Sequence, residues 1–194
     1  MDPIKSFGGI LYFDVDRFLG SLNRILAGEY QVEHWTTLEG RIPGLSIIFR
    51  PHPAVGDFFI GEYSNLFMSR NFVYEQAAYI DGKEIMPEKS SGILVVTGAG
   101  SGKGSWYNNI HQCYFGKPDE FGREEEIARI IARENEARAK TNLYKGQRLV
   151  LDSYNDARGI LSPDSHEEHS INFDIGTQVE IWISDLKLPV IKNN

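Results

Sequence analysis

Cysteine is nearly absent: Cys113 is the only one in 194 residues. An internal disulfide is excluded, and a reducing compartment such as the cytoplasm fits. Long apolar runs are missing too. None approaches the ~20 residues that a membrane-spanning helix needs, so no membrane partner is expected. The opening Met1-Asp2-Pro3-Ile4-Lys5 lacks the basic-then-apolar order of a secretory leader. Positive charge is in the minority, with 20 Lys and Arg against 27 Asp and Glu. A protein that tracks nucleic-acid phosphates needs a basic face, so no nucleic-acid partner is expected. Internal repeats, low-complexity tracts and linkers are also lacking.

What is present suits one core. Hydrophobic residues make up 41% and charged residues 24%, ordinary for a globular chain of this length. Phe18, Leu19, Leu22, Ile25 and Leu26 recur at helical spacing. Asp14 or Asp16 can cap the start of that helix, and Gly28 can end it. Residues 30–100 read as β. The segments are Tyr30 to Ile42, Leu45 to Phe49, Asp57 to Met68, Asn71 to Ile80, and a buried strand over 93–96. Asp81-Gly82 is a hairpin turn signal. Arg123 to Lys140 carries three i,i+4 charge pairs, Glu125/Arg129, Glu134/Arg138 and Glu136/Lys140, and predicts a second, surface helix. Strands resume at Arg148 to Asp152, Ile171 to Phe173 and Val179 to Ile183, with Gly176 turning between the last two. The fold class is mainly β (α+β).

The most informative segment is Ser91-Gly-Ile-Leu-Val-Val-Thr-Gly-Ala-Gly-Ser-Gly-Lys-Gly-Ser-Trp106. An apolar strand feeds a loop of Gly and Ser, which lets backbone N–H groups approach an anion closely. A Gly-x-x-x-x-Gly-Lys-[Ser/Thr] phosphate loop is one reading. It requires glycine at 97, where Thr97 stands, and a hydroxyl directly after Lys103, where Gly104 stands. It must also open a helix in an α/β domain, and Trp106-Tyr-Asn-Asn-Ile110 is a poor helix former. Elsewhere, Asp164-Ser-His-Glu-Glu-His169 is not a zinc signature and reads as a charged turn; no metal ligand set is assigned. Cys113 lacks a positioned base and reads as structural, and Trp35 and Trp182 read as core.

The second reading of the loop rests on a resemblance. Ile25-Leu-Ala-Gly-Glu-Tyr30 with Leu38-Glu-Gly-Arg-Ile42, Ser64-Asn65-Leu66, Lys89-Ser-Ser-Gly92 through Trp106, Gly159-Ile-Leu-Ser-Pro-Asp164, Gly176, and Ser184-Asp-Leu-Lys-Leu-Pro-Val-Ile191 follow one another in the order of the NAD kinase (ATP-NAD kinase) family. They resemble its C-terminal β-rich domain, with the Ser-Ser-Gly strand of the mitochondrial-type branch. The resemblance implies a β-sandwich with two helices over residues 1–194. It also implies NAD and ATP as substrates, Mg²⁺, and transfer of a phosphate to the adenosine ribose 2′-hydroxyl. Asn65, Thr97, Gly98, Gly100 and Ser101 are the NAD-binding positions it points to.

The family's catalytic Asp lies in a Gly-Gly-Asp-Gly motif of an N-terminal domain, which this sequence lacks. No catalytic residue is therefore assigned, and the chain is expected to be inactive alone and completed by such a domain. Two positions depart from the pattern: Leu66 replaces a carboxylate and Ala99 a hydroxyl. Gly102-Lys103 lengthens the loop. From spacing alone, Asn65 is a strand-end turn residue and Lys103 a solvated side chain. The alternative function is a non-catalytic nucleotide-binding or assembly module. Exposed sheet edges predict a homo-oligomer.

Overall fold

A computed structural model describes residues 15–43, 53–63, 74–86, 89–154 and 158–192. The elements run α1 (Val15–Leu26), β1 (Gln31–Arg41), β2 (Asp57–Glu62), β3 (Tyr74–Ile80), β4 (Lys83–Met86), β5 (Lys89–Ser90) and β6 (Ile93–Val96). A 3₁₀ turn (Ala99–Ser101) leads to α2 (Trp106–Phe115). Then come β7 (Ile127–Ala132), β8 (Lys140–Tyr144), β9 (Leu149–Ser153), β10 (Gly159–Pro163), a 3₁₀ turn (Glu167–His169), β11 (Ile171–Asn172) and β12 (Gln178–Lys192). The strands form two antiparallel sheets, β1-β12-β9-β3-β4 with β5 paired to β3, and β11-β10-β2-β6-β7-β8.

The core lies between the sheets. Leu38, Leu149, Leu151, Val179 and Ile181 from the first meet Phe58, Ile60, Ile93, Val95, Ile130 and Leu161 from the second. The far face of the second sheet is also covered. Phe59, Leu94, Val96, Ile131 and Ile160 pack there with Tyr107, flanked by Trp106 and Ile110 of α2. Burial on both faces explains why β6 is an unbroken apolar run instead of an alternating one. The Asp81-Gly82 turn has φ of 52° and 74°, as a tight β3–β4 hairpin requires.

Two expectations are overturned. Arg123 to Lys140 is not a helix: it is an approach segment, β7, and a turn into β8. Ala128, Ile130 and Ala132 face the inter-sheet core while Ile131 packs on the α2 side, so β7 is buried between β6 and β8. Burying β-branched residues on two faces outweighs three surface ion pairs worth ~0.2–0.5 kcal/mol each. Conversely, Trp106 to Phe115 is helical. Ser105 caps it by accepting the Asn108 N–H at 3.1 Å, and Gly116 ends it at φ 73°. Capping and the apolar sheet beneath offset the poor propensity. Cys113 lies exposed on that helix and not in the core. Trp35 is buried, but Trp182 is only half-buried, its ring covered by Arg148 at 4.2 Å and Arg41 at 6.0 Å. The Leu45–Phe49 strand, the segment after Tyr63 and the proposed caps at Asp14 and Asp16 fall outside the described side chains.

Candidate functional site

The glycine loop sits where β6 leaves the second sheet. Its residues are tied inward. Thr97 is fully buried; its hydroxyl donates to the Val55 carbonyl at 2.5 Å and its N–H to that of Gly56 at 2.9 Å. The Thr97 hydroxyl oxygen also receives the Gly100 N–H at 3.3 Å. Ser101 is buried as well. Its hydroxyl donates to the Gly98 carbonyl at 2.9 Å and accepts the Phe121 N–H at 3.1 Å. The two glycines are needed for close backbone approach. A Cβ on Gly98 would stand 2.1 Å from the Gly122 oxygen, and one on Gly100 2.2 Å from the Gly56 oxygen. The loop is thus a buttress between residues 55–57 and 121–122. Of the five sequence-predicted positions, Thr97, Gly98, Gly100 and Ser101 come together here, and Asn65 lies outside the described residues.

Cavities open on both sides of this buttress. The larger, about 540 Å³, lies on the 55–57 side. Pro53, Val55, Pro163, Leu186 and Leu188 supply its apolar walls, and Thr37, Asp164, His166, His169 and Lys187 its polar ones. Its volume and mixed lining match those of small-molecule sites, which run ~300–1,000 Å³. The smaller, about 430 Å³, is a polar cleft between Gly98–Gly102 and residues 120–125, with Glu33 on its rim.

A carboxylate pair joins the loop to the larger cavity, and nothing local in the sequence announces it. Asp164, at φ 49°, accepts the N–H groups of Val55 (2.9 Å), Gly56 (2.6 Å) and Asp57 (3.2 Å). Those bonds hold the segment that carries Thr97's partners. The Asp57 carboxyl beside it is enclosed, and its Oδ1 has no hydrogen-bond partner. Burial, reinforced by the charge of Asp164, raises Asp57 to about 7. Asp57 therefore holds or releases a proton near neutrality, beside the amide-capped Asp164. The 164–169 segment is a turn, as expected, yet His166 and His169 line the cavity, their rings 5.7 Å apart.

A bulge shapes the opposite wall. Between β1 and β12 the register jumps, so that Thr37 alone faces residues 184–186. Thr37 donates to the Leu186 carbonyl at 2.6 Å, and Lys145 holds the Ile183 and Ser184 carbonyls at 3.1 and 2.8 Å. The bulge places Leu186 and Leu188 along the cavity. Among the described residues no group of three or more His, Cys, Asp or Glu side chains is arranged to hold a metal ion. Also among them, no helix is long and apolar enough to cross a membrane.

No family model matches the chain, and no curated protein matches it in sequence. Its structure does match solved ones. Yeast NADH kinase complexed with NADH aligns over 97% of this chain and 52% of its own, with TM-score 0.72 and 12% identity. An NAD kinase from Archaeoglobus fulgidus in complex with ATP aligns over 92% of this chain and 62% of its own, with TM-score 0.64 and 14% identity. The chain therefore has an NAD kinase-like fold and spans about half to three fifths of these neighbours' lengths.

Proposed function

We propose that this domain binds a nicotinamide dinucleotide and supplies the acceptor half of an ATP-dependent NAD 2′-phosphotransferase. The observation that carries the reading is the cavity of about 540 Å³ beside the segment to which the Thr-Gly-Ala-Gly-Ser loop is stapled. Its apolar walls suit a planar ring. His166, His169 and Lys187 supply polar contacts for ribose and diphosphate. The loop residues Thr97, Gly98, Gly100 and Ser101 hold the neighbouring backbone in place, and Asn65 is retained as a direct contact.

The donor side belongs to a preceding domain with the Gly-Gly-Asp-Gly motif. ATP and its Mg²⁺ are assigned there, as the family resemblance implies. Phosphoryl transfer depends on positioning and charge neutralisation across both halves, so this half alone is inactive. The same reading includes a cytoplasmic location, a homo-oligomer and kinship with the mitochondrial-type branch, the last supported by the Ser90-Ser91-Gly92 sequence alone. A non-catalytic module with the same fold is the second reading. It is favoured by the inward-turned Thr97 and Ser101 hydroxyls, which already have partners.

Calorimetric titration with NAD, NADH, NADP and ATP tests the proposal. Leu188→Trp, at a partly exposed position, narrows the cavity without disturbing the core. Saturable NAD or NADH binding that Leu188→Trp weakens at least about tenfold is expected. Dinucleotide binding that ignores Leu188→Trp, or none by the folded chain, rejects the cavity as the site.

A further inference from the structure

On the other side of the loop, a polar network docks residues 117–121 onto α2. His111 is almost wholly buried on that helix. Its Nδ1 lies 2.9 Å from the Lys117 carbonyl, an oxygen that can only accept, so the proton is on Nδ1. Nε2 is then a bare lone pair, and the Lys140 ammonium at the start of β8 donates to it at 2.8 Å. The same ammonium reaches Asp119 Oδ2 at 3.0 Å, where Tyr107 also donates, at 2.5 Å. Arg129 of β7 lies 3.5 Å from that oxygen, and His111 Nε2 lies 3.6 Å from it. On its own helix, His111 meets the rings of Tyr107 and Phe115. Although burial works against it, the bonds from Tyr107 and Lys140 keep the Asp119 carboxyl below the usual carboxylate range.

This network continues into the loop. Asn108, one helical turn before His111, accepts the Asp119 N–H at 3.1 Å and donates to the Ser101 carbonyl at 3.2 Å. Ser101 in turn receives the Phe121 N–H. Hydrogen bonds therefore tie the wall of the polar cleft and the loop to α2.

We propose that His111 is a proton-sensitive positioning residue: its neutral ring latches Lys140 and Asp119 to α2 and keeps residues 117–121 docked on the glycine loop. Protonation puts an N–H on Nε2 against an ammonium 2.8 Å away. Three cations, His111, Lys140 and Arg129, then compete for one carboxylate. Lys140, whose side chain is 29% exposed, has a way out to water. Its departure removes the bond to Asp119 and loosens the wall. Protonation of His111 thus frees the side of the loop away from the larger cavity.

The test is amide hydrogen exchange by NMR at pH 7.5 and 5.5, corrected for intrinsic exchange, with Val95 and Ile130 of the central strands as references. It needs no ligand and stands apart from the proposed activity. In the unaltered chain, Asp119 and Phe121 should lose about tenfold in protection at pH 5.5 relative to the references, the effect of one lost charged hydrogen bond. His111→Gln keeps a donor and an acceptor but cannot charge, and should hold its protection at both pH values. Lys140→Met removes the opposing cation and should abolish the acid effect even if His111→Gln packs poorly. Ring ¹⁵N shifts should show a protonated Nδ1 and a bare Nε2 at pH 7.5. Unchanged protection in the unaltered chain, an acid effect that survives Lys140→Met, or the opposite tautomer would overturn the latch.

Discussion

Replacing Asp57 by Asn removes a carboxyl that the fold forces to carry a proton near neutrality. In the folded chain this group is raised from 3.8 to about 7, first by burial and then by the charge of Asp164. The folded state thus holds a proton that the unfolded chain releases near pH 4. Between those values the native state binds more protons, so stability falls as pH rises. The full cost of ionising Asp57 is on the order of 4 kcal/mol, three pKa units at ~1.4 kcal/mol each. Between pH 5 and pH 8 the chain should lose about 3 kcal/mol through this group. Asp57→Asn has nearly the same shape, cannot ionise, and presents an N–H₂ to the neighbouring Asp164 carboxylate. Urea unfolding of both proteins at pH 5, 6, 7 and 8 isolates the effect, since every other titrating group is common to the two. The difference curve should climb in favour of the variant and level off above pH 7. Parallel curves, or a variant that loses ground as pH rises, would refute the account of Asp57 as an enclosed acid.

Ala at Gly98 or Gly100 should destabilise by about 3 kcal/mol or more, because carbonyl backbone and not a flexible side chain blocks the new Cβ. Gly104→Ala, at φ 81° but in open space, should cost only about 1–2 kcal/mol, and equal losses in urea unfolding would contradict the packing argument. Ser105→Ala should cost about 1 kcal/mol through the lost cap on α2, as read by thermal unfolding. The chain alone should form no NADP from NAD, ATP and Mg²⁺; turnover abolished by mutating one of its own carboxylates would sink the half-site reading. Sedimentation at micromolar concentration should show at least a dimer, since Val32, Leu186 and Leu188 stand exposed along β1 and β12, with Tyr30 just before β1; a clean monomer opposes that.

Local chemistry made much of the fold legible. The Gly28 stop, the Asp81-Gly82 hairpin, the buried run over 93–96 and the Gly176 turn depend on a few adjacent residues, and all four hold. The segment from Arg123 to Lys140 misleads because charge spacing is visible in one dimension, whereas burial of Ile130 and Ile131 on two faces is not. Residues 106–115 mislead in the opposite direction, since caps and the sheet beneath decide that helix more than propensity does. The site divides in the same way. Thr97, Gly98, Gly100 and Ser101 stand out in sequence, but their bonds run to Val55, Gly56 and Phe121. Asp57 and Asp164 are 107 residues apart and meet only through the β2–β10 pairing. His166 and His169 lack any metal or catalytic spacing, and only folding sets them in a cavity wall.

The central claim is that the cavity beside the glycine loop receives a dinucleotide. Amide chemical-shift mapping while NADH is added to the isotopically labelled chain tests it most directly. The account predicts saturable shifts at Thr37, Val55, Asp57, His166, His169 and Leu188, with smaller ones through residues 97–102 that are stapled to that segment. Saturable shifts confined to other surfaces, or none in the folded chain at millimolar NADH, would contradict it.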